Sequence, residues 1–317
     1  MLRLQALIVV SLTCAACRPG AHSEPVARDG PKAAIEPTAT AVREPPAMPA
    51  ARPEHQHEAR AEQPLTKEAE CPPRASLCRE DAFASTHHTD QRRRGVSVAL
   101  EGARAYLALP DGGAAPLPGI LLLHSARGLT KNVELWADRW GEAGYATLAV
   151  DFYQGRVAAN DVEASQLRDL ANQRADDLVQ TARAAYDFLA TDSRTQSKAR
   201  ALVGWSYGGA WATYLATQLP GVRAVVSYGG NALENAAQAA KLGAPLLLVR
   251  GESDAKFRKA AAEALAERLT TAGKSVELLT VAGGHAFGDP TRRDYSAAGN
   301  WQGFVHARQF LQAHLGR

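Results

Sequence analysis

Ala201-Leu-Val-Gly-Trp-Ser-Tyr-Gly-Gly-Ala210 is the stretch whose reading decides the fold. A short apolar run over residues 201–203 stops at Gly204; Ser206 follows, then Gly208 and Gly209, then helix formers through Gln218. This is Gly-x-Ser-x-Gly in the order strand, sharp turn, helix. A serine at the tip of such a turn has strained backbone angles. Its neighbours two residues away on either side must lack a Cβ to clear the adjacent strand and helix. The turn exposes the serine Oγ beside a helix N-terminus, where backbone N–H groups face a developing negative charge. Serine and glycine are also ordinary turn residues, so context must separate a nucleophile from a turn. Here a strand candidate precedes the motif, a helix follows, and an acid (Asp254) and a base (His285) come later in the chain.

Outward from that stretch, short apolar runs alternate with helical patterns. Val96–Leu100 and residues 104–109 alternate in polarity around Glu101-Gly102 and read as an antiparallel hairpin. Residues 120–124 form a solid apolar run, the mark of a strand buried on both faces. Lys131 to Ala143 is helical, with Val133, Trp136 and Trp140 on one face and Gly144 as its stop. Residues 145–150 are a strand. Asn160 followed by Glu163 opens one long helix with Leu167, Leu170, Leu178, Ala182, Ala185 and Leu189 inward. Strands follow at residues 223–228, 246–249 and 276–281, and helices at residues 256–271 and 296–315. Strands alternating with helices of ten or more residues give an α/β fold whose mostly parallel central sheet is covered by helices on both faces. In such sheets the ligand crevice lies beyond the carboxyl ends of the strands. Ser125, Ala126, Ser206, Tyr228, Asp254 and His285 all follow strand candidates.

The serine needs a base, because its hydroxyl is a poor nucleophile at neutral pH. His285 sits after the last strand in a glycine-rich, mobile-looking loop, Gly283-Gly-His-Ala-Phe-Gly-Asp289. His306 and His314 are alternatives, but they lie on the closing helix, an awkward place from which to reach Ser206. His124 ends a buried strand, where hydrogen bonding to the neighbouring loop is its expected role. Asp254, at the far end of the turn Gly251-Glu-Ser-Asp254, can hold the tautomer of His285; Glu252 is the rival carboxylate. The two N–H donors of an oxyanion hole are expected at Tyr207, directly after the nucleophile, and at Ala126, in the loop after the first buried parallel strand. Ser125, Arg127 and Tyr228 are candidate substrate contacts, with an ordinary surface role as the alternative for Arg127. This chemistry needs no metal or organic cofactor.

From about Leu121 to the C-terminus the chain resembles the dienelactone hydrolase family of α/β-hydrolases. The resemblance rests on His124-Ser-Ala-Arg-Gly-Leu129, Ala137-Asp-Arg-Trp140 with Gly144-Tyr145, Val150-Asp-Phe-Tyr153, Gly204-Trp-Ser-Tyr-Gly-Gly209, Gly251-Glu-Ser-Asp254 and Gly284-His-Ala-Phe287, in the family order. It implies an α/β-hydrolase fold over residues 92–317 and a Ser206–His285–Asp254 triad. Two departures stand out. The family usually carries cysteine as nucleophile, where this chain has Ser206, and glutamate after the early histidine, where it has Ser125. A serine activated by His285 does not require that glutamate. The pair of changes implies a serine esterase acting on small carboxylic esters or lactones rather than on dienelactone. The alternative is a ligand-binding surface lipoprotein on a hydrolase fold with weak or no catalysis.

The chain has 317 residues and a net charge of +3. The run Arg92-Arg93-Arg94 reads as a solvated strand edge, and no basic stripe with interleaved aromatics marks a nucleic-acid partner. Residues 1–17 read as an export signal: Arg3, an apolar stretch, then Ala15-Ala16 before Cys17. They resemble a bacterial lipoprotein signal with Cys17 acylated, although Cys14 stands where such signals usually carry leucine and is itself a rival acceptor; secretion without a lipid is the alternative. The apolar part is too short to span a bilayer comfortably, so any membrane attachment is expected through the lipid alone. Residues 18–85 are rich in Pro and Ala and read as a disordered tether. Cys71 and Cys78 close a small loop suited to a disulfide in an exported protein, with a metal site including His87 and His88 as the alternative. The oligomeric state is not written in the sequence.

Overall fold

A computed structural model describes residues 76–77, 79–84, 94–112 and 116–316. The expected signal, the acylated Cys17 or Cys14, most of the tether, the Cys71–Cys78 pair and the His87–His88 pair all lie outside these residues.

The sheet has eight strands. They are β1 (Val96–Leu100), β2 (Ala103–Ala108), β3 (Leu117–Leu123), β4 (Ala146–Val150), β5 (Thr195–Trp205), β6 (Val222–Tyr228), β7 (Leu246–Gly251) and β8 (Val276–Val281). Their order is β1-β2-β4-β3-β5-β6-β7-β8. The first two form the expected antiparallel hairpin, and β2 runs antiparallel to β4; every pairing from β4 to β8 is parallel. The helices are α1 (Glu80–Ala84), α2 (Lys131–Glu142), α3 (Asp161–Asn172), α4 (Ala175–Thr191), α5 (Tyr207–Leu215), α6 (Ala236–Ala240), α7 (Lys259–Thr271) and α8 (Ala297–Leu315).

Side chains alternate across a strand, so each central strand feeds two cores. Ile120, Leu122, Val203, Val226, Leu247 and Val249 point to the face covered by α1, α2 and α8. Leu121, Leu123, Leu202, Val225, Leu246 and Leu248 point to the face covered by α3, α4, α5 and α7. All of these residues are fully buried, which is why the strands read as continuous apolar runs rather than alternating ones. Thr130 caps α2 by accepting from the Val133 amide, and Asn160 caps α3 by accepting from the Val162 and Glu163 amides.

Strand β3 has β4 on one side and β5 on the other. The chain therefore reverses its direction of winding at β3, and the crevice beyond the carboxyl ends of β3 and β5 is where such sheets bind ligands. The loop Ser125–Gly128 leaves β3 there, and Ser206 leaves β5.

The structure departs from the sequence expectation in three places. The single long helix is two: α3 ends at Asn172, Gln173 and Arg174 intervene, and α4 begins at Ala175. With that break Leu170 is 44% exposed rather than inward. No proline or glycine marks the break, so periodicity carried straight through it. Strand β5 begins at Thr195, ahead of the apolar run; its first half is only partly covered, so its residues are polar and carry no apolar signal. Finally, the stretch expected to be tether through residue 85 contains α1, whose Phe83 is fully buried against Trp136, Trp301 and Phe304. The backbone of Leu77 donates to the Glu142 carboxylate just before it. A helix this short has little stability of its own; it is held by what Phe83 packs against.

Candidate active site

Strand β5 delivers Ser206 at φ 53°, ψ −108°, and α5 starts at the next residue. Positive φ on a non-glycine residue costs roughly 1–3 kcal/mol and persists only where the surroundings over-determine it. Here they do. The Ser206 amide donates to Tyr228 O at 2.7 Å, and its carbonyl accepts from Ala210 N at 3.0 Å. A Cβ on Gly204 would lie 2.1 Å from Gly208 O, and one on Gly208 would lie 2.2 Å from Leu123 O. The two glycines of the motif are thus fixed by backbone-to-backbone approach.

His285 and Asp254 converge on this turn. Ser206 Oγ is 2.7 Å from His285 Nε2. His285 Nδ1 is 2.9 Å from Asp254 Oδ2 and 3.0 Å from Oδ1. A carboxylate only accepts, so Nδ1 carries the proton and Nε2 presents its lone pair to the serine hydroxyl. Asp254 Oδ1 also accepts from the amides of Lys256 and Phe257, each at 2.8 Å. Burial pushes the Asp254 carboxyl up, but the hydrogen bonds from His285 and from the Phe257 and Lys256 amides outweigh it and hold the group below the usual carboxylate range. The Asp254 side chain is fully enclosed, and that of His285 is 14% exposed.

The other carboxylate and histidines considered in the sequence lie elsewhere. Glu252 is exposed. His306 pairs with Glu277 at 3.0 Å, and His314 packs edge-on against Phe310. The loop carrying His285 is pinned rather than loose: Gly284 N donates to Asp294 O, Ala286 N to Asp294 Oδ2, and Trp136 Nε1 to Gly288 O. Phe287 is buried against Trp205.

Tyr207 is the first residue of α5, so its amide has no partner inside the helix. Ala126 lies in the loop after β3, whose carbonyl end abuts Gly208. Ser125 is half-buried, and its Oγ accepts from Arg127 N at 3.3 Å. Two of the candidate substrate contacts have partners within the protein. Tyr228 is 1% exposed, stacked on Trp205 with ring centroids 4.0 Å apart, its hydroxyl directed at Gly303 O. It lies beneath the site because the parity of β6 sends its side chain into the core with Val226. Arg127 is already engaged: its guanidinium donates to Ala159 O and to Asp161 Oδ1. Asp161 in turn accepts from Arg292 at 3.0 Å.

That last arrangement was not legible in the sequence. Asp161 joins the loop after β3 to the loop after His285, and the other end of α3 is tied by Tyr207 Oη donating to Asn172 Oδ1 at 2.8 Å. Helix α3 is therefore tied at its first residue to Arg127 and Arg292 and at its last to Tyr207, the residue after the serine. A groove of about 650 Å³ lies elsewhere, between the β1–β2 turn and α4, lined by Glu101, Asp151, Gln154, Asp177 and Thr181. It includes none of Ser206, Asp254 and His285.

The sequence profile of the dienelactone hydrolase family matches residues 103–315, the whole sheet from β2 onward. The chain belongs to the dienelactone hydrolase family. The match ends within the last turn of α8, so every strand and helix that carries Ser206, Asp254 and His285 falls inside it. Protein usf of Aquifex pyrophilus is 27% identical over 208 residues, 64% of this chain and 87% of that protein. Among solved structures, a dienelactone hydrolase-like promiscuous phosphotriesterase from metagenomic libraries superposes with a TM-score of 0.63 at 20% identity, over 70% of this chain and 98% of its own. An acylaminoacyl peptidase of Pyrococcus horikoshii superposes with a TM-score of 0.53 at 17% identity, over 71% of this chain and 42% of its own. At such identities these structures establish a shared α/β-hydrolase fold. This member of the dienelactone hydrolase family is a hydrolase by family.

Proposed function

We propose that this hydrolase is a serine esterase, cleaving small carboxylic esters or lactones through an acyl-enzyme. The observation that carries the reading is the 2.7 Å approach of Ser206 Oγ to His285 Nε2, with Asp254 on the far side of the ring. Ser206 Oγ attacks the ester carbonyl as His285 Nε2 takes its proton. The C=O pair becomes an oxyanion, held by the amides of Tyr207 and Ala126. Collapse of the tetrahedral species breaks the bond to the alcohol oxygen, which receives the proton from His285. Water then adds to the acyl-enzyme by the same route, releasing the acid and restoring Ser206. Asp254 keeps the Nδ1–H tautomer throughout and stabilises the imidazolium while it exists.

Ser206→Ala tests the reading. Hydrolysis of p-nitrophenyl acetate should fall at least on the order of a thousand-fold, with the circular dichroism spectrum unchanged, and a fluorophosphonate probe should label the wild type alone. Full activity in the variant would overturn it.

Ala15-Ala16-Cys17 after an apolar stretch supports export and acylation at Cys17, which would hold the hydrolase at a membrane surface at the end of a Pro- and Ala-rich tether. Among the described residues no helix is long and apolar enough to cross a membrane. Labelling with a fatty-acid analogue should be lost in Cys17→Ser and kept in Cys14→Ser.

A further inference from the structure

His124 ends β3 and is fully buried, with edge contacts to the rings of Phe152 and Tyr153 at 5.6 and 4.7 Å. The mechanism above makes no use of it. Its two ring nitrogens have partners of fixed sense. Nδ1 lies 2.7 Å from Ser125 O, and Nε2 lies 3.1 Å from Phe152 N. A carbonyl only accepts and a backbone amide only donates, so Nδ1 carries the hydrogen and Nε2 accepts. This pattern suits the neutral imidazole alone, and burial moves the group in the same sense, lowering its pKa below the ordinary histidine value. His124 therefore fastens the end of β3 to the start of the segment after β4 through the Phe152 amide, and with its other nitrogen it holds the Ser125 carbonyl.

That carbonyl belongs to the peptide whose other half is the Ala126 amide. In a trans peptide the C=O and N–H point in opposite directions. Holding Ser125 O toward His124 turns the Ala126 N–H to the other side of the peptide plane. A second donor, Gly128 N at 3.1 Å, closes the turn onto the same oxygen. The turn hydrogen bond alone leaves the peptide free to rock about its flanking bonds; a buried ring donor on the same oxygen removes that freedom. The strand end itself is seated against the serine turn, since Gly208 has no room for a Cβ beside the carbonyls of Leu123 and His124.

We propose that His124 is a positioning residue for oxyanion binding: its Nδ1–H clamps the Ser125 carbonyl so that the Ala126 amide is presented, pre-oriented, to the charge that develops on the substrate oxygen. This deepens the esterase reading and rests on it. The side chain at position 125 takes no part in the clamp. The residue contributes its main-chain carbonyl to the clamp, while its short side chain turns back to Arg127 N.

Two substitutions separate the clamp from the fastening. His124→Asn places an amide nitrogen near the position of Nδ1, so it keeps a donor for Ser125 O. His124→Gln reaches to the position of Nε2, so it keeps an acceptor for Phe152 N and loses the clamp. A poorly oriented oxyanion donor costs about 100-fold or more in kcat. The expected result is a fall of about that size in His124→Gln, with KM within about three-fold of the wild type, and a kcat for His124→Asn within about ten-fold of the wild type. Melting temperatures should not follow this order. Crystal structures of both variants should show the Ser125–Ala126 peptide turned in His124→Gln and retained in His124→Asn. An unchanged peptide in His124→Gln, or equal kcat losses in both variants that track their melting temperatures, would overturn the proposal. If the wild type itself hydrolyses no ester, the functional reading fails, and the peptide orientations in the two crystal structures still decide whether His124 is a clamp.

Discussion

Ser206 Oγ and His285 Nε2 stand 2.7 Å apart across 79 residues of sequence. Three intervening strands and their helices are needed to bring the two together. The serine is fixed by β5 and β6, the histidine by a loop tied to Asp294 and Trp136. A rigid scaffold holds both loops, which suits a reaction that depends on geometry more than on flexibility.

Asp254→Asn tests the third member. An amide can donate to His285 Nδ1 and so favours the wrong tautomer; a fall in kcat of roughly ten-thousand-fold is expected. The same variant reports on linkage. The folded carboxyl titrates below its unfolded value near 3.9. Its stabilisation is therefore whole above that unfolded value and is lost as pH falls through the lower, folded one. The melting temperature of the wild type should drop on acidification below about pH 4 more steeply than that of Asp254→Asn. Parallel curves would show that Asp254 contributes no such linkage.

Gly204→Ala should be far more damaging than its single methyl suggests. The new Cβ would sit 2.1 Å from Gly208 O, a backbone atom with nowhere to go, whereas a Cβ on Gly243 meets nothing within 4 Å. Overpacking of this kind costs roughly 1–3 kcal/mol, occasionally more. Esterase activity and thermal stability should both fall in Gly204→Ala and stay near wild type in Gly243→Ala. Equal behaviour of the two variants would mean that the serine turn tolerates a side chain there.

The contrast between those glycines explains what was legible in the sequence. Gly204 is imposed by sterics within five residues, its Cβ position meeting Gly208 O, so the turn, the strand before it and the helix after it could be read directly. The parallel sheet was equally readable, because strands buried on both faces leave unbroken apolar runs such as residues 120–123. The features that escaped depend on partners distant in sequence. The α3–α4 break carries no helix-breaking residue. Asp161 looks like any first-turn acid until the fold sets Arg127 and Arg292 beside it. Phe83 is a lone aromatic near a Pro-rich tract, and only the aromatic patch on α2 and α8 gives it a place.

Tyr228→Phe separates proximity from contact. Tyr228 follows a strand at the carboxyl edge, as substrate-contacting residues do, yet its ring lies flat on Trp205 under the site. Its backbone carbonyl, which holds the Ser206 amide, is untouched by the substitution. Removing the hydroxyl deletes one long hydrogen bond, 3.4 Å to Gly303 O, of a type worth about 1 kcal/mol at most. The expected kcat/KM on an ester panel is within about two-fold of wild type. A substrate-selective loss would restore Tyr228 to the binding site.

Phe83→Ala asks where the folded unit begins. Phe83 is fully buried, its ring 5.2 Å from Phe304, 5.3 Å from Trp301 and 6.0 Å from Trp136 between centroids, with the Arg139 guanidinium over its face at 4.4 Å. Arg139 is itself buried, and burial lowers its pKa to about 10. Removing the ring would expose both a cation and the aromatic patch. Truncating a buried phenylalanine to alanine costs about 3–5 kcal/mol. At roughly 2–4 °C per kcal/mol for a domain of this size, the melting temperature should fall by about 10 °C. Trp136 also donates to Gly288 O beside the His285 loop and packs on Trp205 at 4.9 Å. The loss should therefore appear in tryptophan fluorescence as well as in stability. If α1 merely rests on the surface, the variant will melt with the wild type and its fluorescence will not change, and the domain would then begin at β1.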